Sequence, residues 1–105
     1  MDYSFGLSQE TRKKLMSVFT QFSDIEAVII YGSRAKGNYK KGSDIDITLK
    51  GNISLSILLK IENEIDDLLL PYKVDLSLYD QIDSTSLREH INRCGRKLGS
   101  VAPDH

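Results

Sequence analysis

The residues whose types and spacing suit chemistry are Gly32-Ser33 and, after ten intervening residues, Asp44-Ile45-Asp46. Asp44 and Asp46 fall in the alternating stretch Asp44 to Lys50, which predicts a strand. Residues two apart on a strand point to one face, with Cα atoms about 6.5–7 Å apart. Two bare carboxylates on one face repel and call for a cation. Magnesium suits them, because it takes carboxylate oxygens, keeps several waters and accepts substrate phosphates as further ligands. A third acid, Asp75, lies on the polar face of the next alternating stretch, Lys73 to Tyr79. If the two strands are neighbours, three carboxylates meet on one surface. That is enough for a two-metal site with ions about 3.5–4 Å apart. One ion would lower the pKa of an attacking hydroxyl, and the other would neutralise a triphosphate and its leaving pyrophosphate. Asp75 would be placed to accept the hydroxyl proton.

Gly32 and Ser33 supply the complementary half. A glycine after a strand lets backbone amides approach a phosphate with no Cβ in the way, and amides at the start of the next helical turn add donors. The Ser33 hydroxyl can bond a phosphate oxygen. Arg34 and Lys36 add positive charge, and Lys40 and Lys41 follow in the loop.

The surrounding elements must position these groups. Ser8 is a candidate N-cap, with Leu15, Val18, Phe19 and Phe22 on one face of a helix from about Ser8 to Gln21. Ile25 to Tyr31 is apolar on both faces from Ala27 onward, which predicts a buried or central strand. Ser33 to Lys36 predicts a short helical segment ended by Gly37. Ser54 opens the longest helix, with a broad apolar stripe from Leu55 to Leu69 and a stop at Pro71. Val74, Leu76 and Leu78 form the inward face of the Lys73 to Tyr79 strand. Asp83 or Ser84 caps a last helix carrying Leu87, Ile91, Cys94 and Leu98 on one stripe. The order α-β-α-β-α-β-α predicts an α/β sheet with helices on its apolar face.

Composition bounds the rest. With 105 residues the chain predicts one domain, 1–105, with a core over about residues 8–98. A net charge of -1 argues against a general nucleic-acid coat, but not against one nucleotide held by a local basic loop. Cys94 is the only cysteine, so an intrachain disulfide and a metal-thiolate cluster are excluded, which fits a reducing cytoplasm. The N-terminal residues lack the layout of a signal peptide, and no apolar run suits a membrane span. The tail after Leu98 reads as a frayed end or as a foreign remnant.

Taken singly, each feature has an ordinary reading. A D-x-D pair decorates many exposed sheet faces, and G-S marks many turns. Loop lysines are usually solvated. Tyr31 and Tyr39 read as packing or rim contacts, His90 as a solvated helix residue, and Cys94 as core. The functional reading rests on co-occurrence in one order and spacing.

That order resembles the G-S-x10-D-x-D signature of the DNA polymerase beta-like nucleotidyltransferases, and among them the minimal nucleotidyltransferases of antitoxin type. I-Y-G-S-R-A-K-G resembles the family's glycine-serine turn, G-S-D-I-D-I-T-L its strand of paired acids, and Y-K-V-D-L-S-L the strand of the third acid. The resemblance implies a mixed β-sheet with helices packed on one face. It implies Asp44, Asp46 and Asp75 as metal ligands and catalytic acids, with Gly32, Ser33, Arg34 and Ser43 at the nucleotide; Arg34 would contact phosphate or stabilise the turn. The implied cofactor is Mg²⁺, in a pair of ions, with ATP as substrate. The implied reaction moves AMP to a hydroxyl and releases pyrophosphate. The implied partner is a HEPN-domain toxin modified on a tyrosine, which makes this chain the antitoxin of a type VII pair. Two other readings stay open: a non-catalytic module that neutralises a partner by contact, and an enzyme acting on a small-molecule alcohol.

Overall fold

The computed structural model describes residues 4–40 and 42–99 of the protein. Ser8 caps the first helix, α1 (Gln9–Phe19), its Oγ accepting the Thr11 N–H at 3.1 Å. This bond satisfies one of the donors that a helix start leaves without a partner. Ahead of it, Ser4–Gly6 forms a short kinked turn with Phe5 in the left-handed region (φ 60°), which the sequence pattern does not reveal. Strand β1 (Ile25–Tyr31) leads into α2 (Ser33–Lys36), and β2 (Ile45–Gly51) into α3 (Leu55–Asp67). Strand β3 (Val74–Leu78) precedes α4 (Thr85–Cys94), and a short strand, β4 (Arg96–Gly99), follows it.

The sheet runs in the order β3-β2-β1-β4. Strands β1 and β2 are antiparallel, as are β1 and β4, while β2 and β3 are parallel. The run of apolar residues in β1 is explained by its interior position, where Val28, Ile29 and Ile30 are all buried. On one face, Leu15, Val18 and Phe19 of α1 and Ile61 and Ile65 of α3 close over Val28, Ile30, Ile45, Ile47, Leu49 and Leu98. Full burial of one such side chain stabilises by roughly 1.5–3 kcal/mol. Helices α1 and α3 thus form the expected one-sided layer, and α4 reaches the opposite face at Ile29. A Cβ on Gly95, just after α4, would stand 2.7 Å from Ile29 Cγ2, so the end of α4 approaches β1 only because that residue is glycine.

Gly95 also explains the main departure from the sequence pattern. The apolar stripe of the last helix was expected to run on to Leu98. Instead the backbone turns extended at Gly95 (φ -64°, ψ 145°), and Arg96–Gly99 pairs with β1. Leu98 satisfies both patterns, because it is also the core-facing residue of β4. The stripe on α3 is likewise wider than its buried face. Ile61 and Ile65 are buried, but Leu55 and Leu59 are 69% and 53% exposed. The helix ends before Leu69, whose φ is 55° and whose side chain is 86% exposed. Among the described residues no helix is long and apolar enough to cross a membrane. Lys41 and the tail beyond Gly99 lie outside the described residues.

Candidate active site

The face of the sheet away from α1 and α3 carries two cross-strand rows. Tyr31, Asp46 and Asp75 are mutual register partners across β1, β2 and β3, and Ile29, Thr48 and Ser77 form the next row. Asp46 and Asp75 therefore stand one strand spacing apart, about 4.8 Å between Cα atoms. Asp44 stands at the mouth of β2, near enough for its charge to act on Asp46. Asp44 precedes β2 rather than lying within it, and it is exposed. The parallel pairing of β2 with β3 sets Asp46 directly beside Asp75.

Electrostatics mark Asp46 as the central member. Partial burial raises its carboxyl above the ordinary range, and the charges of Asp75 and Asp44 raise it further, while His90 pulls it down. Tyr31 responds to the same surroundings. Burial raises its phenol, the Asp46 and Asp75 charges add to that, and a side-chain hydrogen bond with Ser77 opposes it. The register of Asp46 with Asp75 thus gathers negative charge on this face.

Gly32 fixes the position of the turn relative to Asp46. It caps α2 with φ 75° and ψ -153°, a conformation essentially confined to glycine. Its N–H donates to His90 Nε2 at 3.2 Å across 58 residues of sequence. The Tyr31 and His90 rings meet edge-on, with centroids 6.2 Å apart. Ser33, Arg34 and Ala35 open α2, so their N–H groups have no acceptor within the helix.

Arg34 and Ser43 take bracing roles. Arg34 is 3% exposed. Its Nε and one terminal nitrogen donate to the Ser43 carbonyl at 3.2 and 2.8 Å, and the other donates to the Phe5 carbonyl at 2.9 Å. Its guanidinium carbon stands 5.3 Å from the Tyr39 ring centroid and 4.8 Å from that of Tyr72, a stacked cation–π arrangement. Ser43 Oγ accepts the Lys40 N–H at 2.8 Å. Of the two roles expected for Arg34, the contacts match turn stabilisation: its donors hold the loop that leads into β2. Tyr39 is a packing partner of that arginine.

The donor set can be tested against magnesium. Among the described residues no three carboxylate, imidazole or thiol groups converge into a preformed metal cluster. Magnesium does not need one. It is usually held by one or two carboxylates, with water and substrate phosphates completing the shell. Asp46 and Asp75 are hard oxygen donors in register on an anionic face, and they fit that description.

His90 is the site residue that sequence reasoning missed. It lies three positions after Leu87 and four before Cys94, at the border of the apolar stripe of α4. A border position is compatible with solvent or with a neighbour, and only the packing of α4 on β1 decides between them. Cys94 is half-buried and sits outside the main core cluster.

The family described as "Polymerase beta, Nucleotidyltransferase" matches residues 13–103. No curated protein matches the chain. Several solved structures share its fold. A toxin-antitoxin crystal structure with AMP-PNP is 20% identical, with 85% of this chain and 73% of that chain covered and a TM-score of 0.68. The toxin-antitoxin MntA-HepT is 18% identical over 89% of this chain and 73% of that chain, at a TM-score of 0.65. A tri-AMPylated Shewanella oneidensis HEPN toxin in complex with MNT antitoxin is 18% identical over 88% and 71%, at 0.63. At these identities the likeness is one of fold.

Proposed function

The chain belongs to the polymerase beta nucleotidyltransferase family, and from that premise we propose that it transfers AMP from ATP to a tyrosine hydroxyl of a HEPN-type toxin, as the antitoxin of the pair. The observation that carries this reading is the register of Asp46 with Asp75, beside a glycine turn that admits no side chain. The likeness to toxin-antitoxin structures, one with AMP-PNP and one with an AMPylated HEPN toxin, supports the choice of nucleotide and partner.

In this mechanism Gly32 and Ser33 hold the triphosphate, the Ser33 hydroxyl and backbone N–H donating to its oxygens. Arg34 and Ser43 keep that turn in shape. Asp46, Asp75 and the exposed Asp44 would hold magnesium, which when bound would neutralise the phosphates and acidify the incoming hydroxyl. Asp75, exposed at the sheet edge, accepts the proton of the tyrosine hydroxyl. The tyrosine oxygen bonds to the α-phosphorus as the bond to the β-phosphate bridge breaks, and pyrophosphate leaves with that electron pair. The direct test is intact mass of the partner after incubation with this protein, ATP and Mg²⁺. The expected result is a gain of one or more adenylyl groups, absent with the Asp44→Asn/Asp46→Asn double variant. No gain, or an equal gain with the double variant, would sink the proposal.

A second reading, neutralisation by contact alone, draws on the exposed Leu55, Leu59 and Leu69. Under it the double variant neutralises the partner as fully as the wild-type protein.

A further inference from the structure

The Gly32 peptide is held from two sides. Its Cα face lies against the Asp46 carboxylate, so closely that a Cβ there would meet Oδ2 at 2.5 Å. Its N–H is anchored on His90 Nε2 at 3.2 Å. The second anchor comes from α4, an element that contributes nothing else to the phosphate turn. As an acceptor, that nitrogen carries its lone pair, which puts the ring proton on Nδ1. Tyr31 packs edge-on against the same ring and limits its rotation. Tyr31 itself precedes Gly32 and lies in register with Asp46 on β2. The imidazole is therefore steadied by the sheet that carries the acids, and it fixes the peptide that carries the turn.

The anchored peptide decides where Ser33 points. Gly32 has a backbone conformation outside the ordinary basins, and its φ and ψ set the direction of the first turn of α2. A glycine released from its anchor has more conformations open to it than any other residue. Without the bond to His90, the turn would hold its one productive shape for a smaller fraction of the time. Ligand affinity falls by that fraction.

We propose that His90 is a positioning residue of the phosphate turn, holding the Gly32 peptide in the orientation from which Ser33 meets a nucleoside triphosphate. This rests on the nucleotidyltransferase reading of the site. It assigns α4 a role in nucleotide binding that neither the glycine-serine turn nor the aspartates reveal. It also has a definite sign. If His90 instead blocked a donor that phosphate needs, its removal would tighten binding.

The test uses the full chain with His90→Ala and His90→Gln. Gln keeps a side-chain acceptor; Ala has none. Affinity for AMP-PNP with Mg²⁺ is read by calorimetry, and amide hydrogen exchange at Gly32 by NMR. In His90→Ala we expect affinity to weaken about tenfold, the scale of one lost hydrogen bond, with faster exchange confined to the turn. In His90→Gln both return to within about threefold of the wild type. Where turnover is measurable, KM for ATP rises while kcat changes little. Unchanged or tighter binding in His90→Ala overturns the proposal, as does a loss that His90→Gln fails to repair. Should His90→Ala not fold, His90→Gln decides alone: near-wild-type affinity supports the acceptor role, and lost affinity overturns it. A wild-type protein that binds AMP-PNP but modifies no partner fails the transfer reading and leaves this test valid. One that binds no AMP-PNP overturns both.

Discussion

Asp46 and Gly32 touch so closely that no side chain fits between them: a Cβ on Gly32 would sit 2.5 Å from Asp46 Oδ2. The backbone conformation there adds a second barrier, since φ 75° with ψ -153° is a glycine region. Gly32→Ala therefore meets both strain and collision with a carboxylate. It should lose about 1–3 kcal/mol, which lowers the melting temperature on the order of 5–20 °C for a domain of this size. Calorimetric melting of the variant checks this. A variant that melts like the wild type would show that the turn is not held as described.

Arg34 links three segments through one buried guanidinium, and its loss would leave the Ser43 and Phe5 carbonyls without their donor. Each carbonyl left unsatisfied costs roughly 1–3 kcal/mol. Arg34→Ala should thus be the more damaging change, and Arg34→Lys intermediate, because one ammonium cannot reproduce the forked donation onto two carbonyls. Limited trypsin digestion gives a local readout. Cleavage at the exposed Lys36 and Lys40 should accelerate in Arg34→Ala below its melting range. Equal cleavage rates would count against the brace.

The Asp46 carboxyl is raised by burial and by its acidic neighbours, so the folded chain keeps that proton to a higher pH than the unfolded chain does. Its stabilising contribution is fully present below the ordinary carboxylate range, about pH 4. It is lost as the pH rises through the raised value. Near pH 7 and without divalent cations, Asp46→Asn should therefore be more stable than the wild type. The half-exposed setting limits the gain to about 2–4 °C. Melting temperatures across pH 4–7 should fall less steeply in the variant. A less stable variant at neutral pH would mean that the carboxylate is favourably paired instead.

Magnesium should reverse that penalty. A cation that binds only the folded chain raises its melting temperature with concentration. The rise should appear in the wild type and shrink in Asp46→Asn and Asp75→Asn, as read by melting in increasing MgCl₂. An equal shift in all three proteins would place the ion elsewhere.

Much of this was legible in the sequence, for identifiable reasons. Strict alternation fixed which residues of β2 and β3 share a face, and the two-residue spacing of Asp44 and Asp46 suggested the acidic surface. Alternation cannot say which strands are neighbours. The partnership of Asp46 with Asp75 depends on the parallel pairing of β2 and β3, which only the fold provides. Leu98 fits a helix stripe and a strand equally well, so the end of α4 was invisible until Gly95 met Ile29. Arg34 is adjacent to the glycine-serine turn in sequence, which favours a substrate role on paper. Its burial between Tyr39 and Tyr72 is a tertiary fact. His90 was missed for the same reason, because its contact spans 58 residues.

The central claim is that the Asp46–Asp75 pair performs nucleotide transfer to a HEPN-type partner. It is tested most directly by initial rates of label transfer from α-labelled ATP to that partner, with pyrophosphate release counted in the same reaction. The wild-type protein should release one pyrophosphate per labelled group transferred. The rate should fall about 10²–10⁴-fold with Asp75→Asn, the scale of a lost general base, and no transfer should be detectable with Asp46→Asn. Transfer that survives both substitutions, or a partner silenced without label or pyrophosphate, would contradict that claim.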